Sequence, residues 1–262
     1  MQSKNGIRGL KLVTTSWDDG HPNDLRIAEL LRARNLCGTF YVPITAPDGR
    51  QRLSERDLRD MHSAGFEIGG HSISHKELSR LSQQEVADEV GGCKKILEDA
   101  IDGSVEMFCY PKGRYNEVVI QELEAAGFRG ARTTRMLSMA TDFDCFEMPT
   151  TLQAFSHSTM TYIRNQGRAK SIPGLVTYFT RLKKLERWVD AGMELFDDVL
   201  AHGGIWHLYG HSWEIEQLGR WDELREMFDY ISNREGVTYA TNIQTVMLAS
   251  GPQSHSASAV FA

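Results

Sequence analysis

Two groups of side chains in this sequence have the types and spacing that hydrolytic chemistry needs. The first is Thr15-Ser16-Trp17-Asp18-Asp19-Gly20-His21, where adjacent carboxylates end an apolar run and a glycine and a proline follow. That is the pattern of a buried strand breaking into a sharp turn with acids at its mouth. One carboxylate could ligate a metal while the other serves as general base. On a regular strand their side chains point to opposite faces, so both reach one site only if the strand has already broken, which Gly20 permits. Asp-Gly is also a common turn signal, so the pair gains weight only from its company.

The second group is His71-Ser72-Ile73-Ser74-His75. A spacing of four lets both imidazoles approach one metal, on a helical turn or a compact loop. No glutamate follows His71, so the His-Glu-x-x-His protease motif is absent. A carboxylate base must come from elsewhere, and Asp18 is the obvious supplier. Further on, His207-Leu208-Tyr209-Gly210-His211 ends another expected strand, with His207, Tyr209 and His211 on one side. His211, at the mouth, suits a general acid. Trp213 is either a sugar-stacking platform or a core aromatic. The run from Tyr110 and Pro111 to Asn116 reads as a loop into a capped helix, where a backbone N–H near Tyr110 could donate to a developing oxyanion.

These groups need elements to carry them. Strands are expected at 10–16, 37–42, 66–70, 105–109, 128–134, 205–209 and 237–240, with a further one at 145–148. Helices are expected between them, two of them opened by capping boxes, Ser54 with Asp57 and Ser82 with Glu85. Gly91 and Gly92 weaken the second of these helices. The periodicity predicts one long helix over 175–200 and a loop with some helix over 153–173. Asn116 caps the helix after Tyr110, and Thr241 with Gln244 opens the last one. Strand and helix alternate at least six times, which argues for α/β architecture: a distorted (β/α) barrel of about seven parallel strands, closed or nearly so. Each polar cluster falls at the C-terminal end of an expected strand, the face that carries chemistry in such barrels. No internal repeat or linker splits the chain. A single domain over 1–250 is expected, with a disordered tail over 251–262.

Composition bounds the rest. The chain has 262 residues, with 41% hydrophobic and 24% charged side chains, enough for a sizeable core. Its 29 basic and 35 acidic residues leave a net charge of −6, without the basic excess of a nucleic-acid binder. The four cysteines (Cys37, Cys93, Cys109 and Cys145) form no Cys-x-x-Cys pair and are expected to be reduced. Residues 1–8 lack the apolar stretch of a signal peptide and no run is long enough to span a bilayer, so a cytoplasmic location is expected.

Taken in order, the motifs resemble those of the polysaccharide deacetylases, the family-four carbohydrate esterases. The first family motif is matched by Trp17-Asp18-Asp19-Gly20, the second by His71 to His75, the third in part by Tyr110-Pro111-Lys112-Gly113, and the last by Leu208 to His211. The resemblance spans about residues 10–250. It implies a divalent metal, zinc first and cobalt or nickel as alternatives, held by Asp19, His71 and His75. Asp18 would be the base, His211 the acid, and Tyr110 and Pro111 with Trp213 would meet the oxyanion and the substrate. The substrate implied is an N-acetylated sugar or oligosaccharide, and the reaction is removal of its acetyl group. Two departures stand out. The arginine that usually opens the third motif is replaced by Cys109, with Arg132 at the next strand end as its candidate substitute. The fourth-motif aspartate has no clean match, Asp142 and Asp144 being the nearest. Two rival readings use the same residues: an amide or imide hydrolase acting on a small cyclic ureide, and a catalytically silent sugar-binding protein. The oligomeric state stays open.

Overall fold

The computed structural model describes residues 9–250. Eight strands and ten helices follow one another: β1 (Lys11–Asp18), α1 (Asp24–Arg32), β2 (Thr39–Val42), α2 (Glu55–Ser63), β3 (Glu67–Gly70), α3 (Gln83–Ile101), β4 (Met107–Cys109), α4 (Glu117–Ala125), β5 (Gly130–Arg132), β6 (Leu152–Gln153), α5 (Thr159–Ala169), α6 (Ile172–Thr177), α7 (Trp188–His202), β7 (Gly204–Gly210), α8 (Ser212–Gln217), α9 (Trp221–Ile231), β8 (Thr238–Tyr239) and α10 (Asn242–Ser250). All strand pairs are parallel, in the order β5-β4-β3-β2-β1-β7-β6, with β8 joined to β1 at Leu12 and Val13. The result is the expected distorted barrel of seven strands in a single domain. Its two ends are stitched by an irregular segment. Met148 donates to Ala131 and Thr150 to Arg135, while Thr151 donates to His207 on the far side.

The strands are short and buried on both faces, as a parallel sheet wrapped in helices requires. Along β1 the side chains alternate. Trp17 turns outward and meets Phe228 of α9 edge-on at 6.2 Å. Thr14, Ser16 and Asp18 turn inward, where Ser16 bonds His207 and Thr14 bonds Asn242. Asn242, at the start of α10, also accepts from the Tyr41 hydroxyl, and its backbone N–H donates to the Thr39 hydroxyl oxygen. A hydrogen-bonded polar layer thus fills the barrel beneath the acids. His207 belongs to this layer and not to the mouth: burial, then Arg132, push its pKa down to about 3.

Both capping boxes are formed, and Asn116 and Thr241 open their helices as expected. α3 runs unbroken through Gly91 and Gly92. At Gly92 a Cβ would lie 2.7 Å from Cδ1 of Ile73, so the missing side chain lets the His71–His75 segment pack against the helix. Two expectations are corrected. The helix over 175–200 is broken, because its halves bury against different layers: Tyr178 stacks on Tyr162 of α5 at 4.6 Å, whereas Phe196 of α7 meets Trp206 of β7. α6 therefore passes into a wider turn over 178–182, and α7 starts afresh at Trp188. Residues 145–148 form no strand. Asp144 caps a short 3-10 turn at Cys145–Glu147, and Met148 alone bridges to Arg132. All four cysteines are free thiols. Among the described residues no helix is long and apolar enough to cross a membrane. The expected tail at 251–262 and the segment 1–8, expected to hold no signal peptide, lie outside the described residues.

Candidate active site

β1 ends at Asp18 and the chain turns at once. Asp19 takes φ 78° and Gly20 φ 58°, so the two neighbouring carboxylates end on the same side. Left-handed backbone in a residue with a Cβ is strain that the surroundings must hold, and it gathers at functional sites. Asp19 is held through one oxygen. Its Oδ2 accepts from the Trp213 indole N–H at 2.9 Å and from Arg50 at 3.4 Å. Its Oδ1 is buried and has no hydrogen-bond partner.

That bare oxygen faces two imidazole nitrogens. His71 follows β3, and its Nδ1–H donates to the Cys109 carbonyl at 2.7 Å. A carbonyl only accepts, so this bond fixes the tautomer and leaves the Nε2 lone pair exposed. Nε2 of His71 lies 3.7 Å from Asp19 Oδ1, and Nε2 of His75 lies 3.4 Å from it. Ligands about 2.1 Å from a tetrahedral ion stand about 3.4 Å from one another. Burial first, opposed by Asp18 and Asp19, lowers the His71 pKa; burial and then His71 lower that of His75 to about 4. Two neutral imidazole nitrogens and the bare Asp19 oxygen thus face one point. One carboxylate and two neutral imidazoles, one oxygen left unsatisfied, fit a divalent cation.

The loop that presents the histidines is itself braced. Ser72 and His75 adopt φ 66° and 55°, and the Ser72 hydroxyl accepts from the His75 N–H at 2.9 Å. Glu89 of α3 accepts from the Ile73 and Ser74 N–H groups at 2.9 and 2.8 Å, and from the Ser74 hydroxyl. Glu89→Ala is expected to weaken divalent-ion affinity by about 10- to 100-fold, the usual range for groups that orient ligands. Competition against a chromogenic chelator measures it, and an affinity equal to wild type would mean that the Ser72 bond suffices.

Asp18 lies beside this cluster with a different set of partners. Its Oδ1 pairs with Nη2 of Arg132, a fully buried guanidinium that also sits over the rings of Tyr209 and Tyr41. Its Oδ2 accepts weakly from the Cys109 thiol at 3.8 Å. Burial alone would raise the Asp18 pKa, but Arg132, then His71 and His211, more than offset it and hold the carboxyl below its usual range. Burial pushes the Cys109 thiol well up, so it stays a donor. The sheet register explains the exchange of arginine for cysteine: Cys109 of β4 is paired directly with Arg132 of β5. The guanidinium arrives from the adjacent strand.

His211 follows β7 across the cleft. Its Nδ1–H donates to Glu214 Oε2 at 2.7 Å, and its Nε2 lies 4.0 Å from Asp18 Oδ2. Burial opposes the charged ring, but the Glu214 bond and then Asp18 and Asp19 outweigh it and raise the His211 pKa. Asp18, Asp19, His71, His75, Tyr110 and His211 all line one cleft of about 300 Å³. Pro111 is buried and opens a short turn beside it. Trp213 does not line the cleft; Arg50 covers its ring at 3.7 Å.

Residues 6–131 match the family model for polysaccharide deacetylases. Over that stretch, just under half of its length, the chain is similar to the polysaccharide deacetylase family. Among curated polysaccharide deacetylase relatives, YxkH of Bacillus subtilis, provisionally named a polysaccharide deacetylase, is 27% identical over 125 residues, covering 47% of this chain and 45% of its own length. PgdA of Listeria monocytogenes, a peptidoglycan-N-acetylglucosamine deacetylase, is 25% identical over 175 residues, covering 60% of this chain and 37% of its own. The chain spans less than half the length of these relatives. A crystal structure from Mycobacterium smegmatis, provisionally titled a polysaccharide deacetylase, shares the fold with a TM-score of 0.64 at 17% identity, covering 95% of this chain and 92% of that one.

Against the polysaccharide deacetylase motifs, three partners went unread in the sequence. Asp142 and Asp144 are exposed and do not reach His211; Glu214 does, three residues on, at the start of α8. An acid at that spacing beside a strand-end histidine was the available signal. Arg50 lies in a turn with nothing in its sequence to mark it. Gln153 joins Glu214, Tyr209 and His157 through its side-chain amide, a link that exists only once β6 and β7 pair.

Proposed function

We propose that the chain is a metal-dependent hydrolase that removes N-acetyl groups from an N-acetylated sugar or oligosaccharide. The observation that carries this reading is the unpartnered Oδ1 of Asp19 facing Nε2 of His71 and His75, with the Arg132-paired Asp18 beside them. Asp19, His71 and His75 would hold a divalent ion, which when bound would supply Lewis acidity and lower the pKa of a water.

The remaining steps belong to side chains. Asp18, kept ionised by Arg132, takes a proton from the attacking water on Oδ2, the oxygen nearer His211. His211 carries a proton on Nε2 while Glu214 holds its Nδ1–H, and it passes that proton to the amide nitrogen as the C–N bond breaks. Acetate and a free sugar amine are the products. The Tyr110 backbone N–H would meet the carbonyl oxygen as negative charge builds on it.

Acetate release from N-acetylglucosamine oligomers, with and without a chelator, tests the reading. Release that stops on chelation and returns with zinc or cobalt is the expected result. Release of ammonia or ring-opened product from a cyclic ureide, with no acetate from any sugar, would replace the substrate class. Turnover of nothing by a metal-loaded chain would leave the silent sugar-binding protein as the better account.

The acid limb and base limb of the rate profile follow from the pair. Asp18 must be ionised and His211 charged, so a bell-shaped dependence is expected. Replacing the charged acceptor on Nδ1 by a neutral one withdraws much of what raises the His211 pKa. Glu214→Gln should therefore move the alkaline limb to lower pH by roughly one unit, the worth of about 1.4 kcal/mol. An unmoved alkaline limb in that variant would take His211 out of the acid's role.

A further inference from the structure

A second cavity of about 160 Å³ opens beside the catalytic cleft and shares Gly113, Thr134 and Asn165 with it. Asn165 stands as a fixed wall between the two. Its Oδ1 accepts from the Met136 N–H at 2.9 Å, and its Nδ2 donates to the Thr134 carbonyl at 2.6 Å. Gly113 brings the two sides together: at φ 63°, a Cβ there would lie 2.1 Å from the Thr134 hydroxyl oxygen. The two cavities therefore adjoin across the rim made by Gly113, Thr134 and Asn165, and a ligand longer than one sugar would have to cross that rim to occupy both.

The charge of this cavity is one-sided. Arg114, Arg135 and Arg168 line it, and no acid does. Arg135 is already matched, bonding Glu147 with two nitrogens at 2.9 Å each. Arg114 and Arg168 are exposed and make no ion pair among the described residues. Lys112, on the rim of the catalytic cleft, adds a further cation. The bias extends beyond the cavity wall. Between Glu147 and Glu186 the sequence has no aspartate or glutamate, yet it holds six arginines and lysines, in a chain whose net charge is −6. Of these six, Arg168 lines the cavity, with Arg164 beside it on α5, whereas Arg181 is paired with Glu194 and Asp198. Guanidinium groups with free donors bind carboxylate and phosphate oxygens in bidentate fashion.

We propose that this second cavity is a subsite for an anionic group, a carboxylate or a phosphate, carried by the substrate beyond the sugar that is deacetylated. The substrate is then an acidic saccharide and not a neutral homopolymer. This rests on the hydrolytic reading of the adjacent cleft, and the test keeps the two apart. Equilibrium binding of three soluble probes decides the subsite without turnover: a neutral N-acetylglucosamine trisaccharide, the same trisaccharide bearing a carboxyalkyl ether, and the same bearing a phosphate monoester. Calorimetry on the metal-loaded chain should show one of the charged probes binding about tenfold more tightly than the neutral one. The advantage should shrink towards one in 0.5 M salt and in the double variant Arg114→Gln/Arg168→Gln, whose replaced side chains make no hydrogen bond or ion pair among the described residues. Which charged probe gains tells carboxylate from phosphate. Equal binding of all three, or an advantage that survives the double variant, overturns the subsite. Acetate release from the same probes judges the catalytic reading separately.

Discussion

His71→Ala is expected to yield a folded chain that retains no stoichiometric divalent ion and whose acetate release falls by about 1,000-fold or more. Catalytic zinc sites use three protein ligands, and this change leaves a strained aspartate and a half-buried histidine. The His71 ring is also the one whose orientation is fixed from behind by the Cys109 carbonyl, so no neighbour can substitute for it. Asp18→Asn separates ligand from base. It should keep the ion and still lose turnover by roughly 100- to 10,000-fold, the usual contribution of a general base. Metal content by elemental analysis, read beside acetate release, distinguishes the two variants. A His71→Ala protein that kept one ion per chain would end the proposed site.

The second large effect is on stability. Arg132→Met should destabilise the fold by about 3–5 kcal/mol at neutral pH, because it leaves the buried Asp18 carboxylate without its cation. For a chain of this size that is a fall in Tm of roughly 10 °C. The sign of the pH dependence follows from the lowered pKa of Asp18. In the native protein its contribution is present in full above the unfolded carboxylate value of about 3.9 and is lost as pH falls through the lower folded value. Without Arg132, burial dominates, the folded pKa of Asp18 rises, and protonation relieves the penalty. The deficit of the variant should therefore narrow on acidification, and adding Asp18→Asn should recover most of it at pH 7. Urea unfolding at pH 5 and pH 7 measures both. A variant within 1 kcal/mol of wild type at pH 7 would show that water already shields Asp18.

The sequence displayed the metal-facing residues because each set is local. Asp18 with Asp19, and His71 with His75, lie within one strand end or one loop, and the glycines that break those strands are adjacent. Partners that arrive across the sheet were harder to read. Arg132 was legible only as a polar residue at the next strand end; its place beside Cys109 depends on the register of β4 and β5. Glu214 lies after β7, on the turn of α8 next to the histidine, whereas the acids before β7 serve elsewhere, Asp144 capping a turn. The break in the helix over 175–200 was invisible to periodicity. A moment reports which face is apolar, not that Tyr178 and Phe196 bury in different places.

The placing of β1 has a consequence for how the molecule is made. The strand that leads into the two acids leaves the ribosome before the other seven described strands, yet it is flanked on one side by β7 and also touches β8. Ser16 meets His207 across 191 positions of chain. A nascent polypeptide that has emerged only as far as α6 therefore exposes one whole edge of its acid-bearing strand to any passing chain. The acid pair acquires its final setting only once β7 has been made, so pulse-labelled ribosome-bound intermediates should gain protease resistance in β1 only after β7 has cleared the exit tunnel.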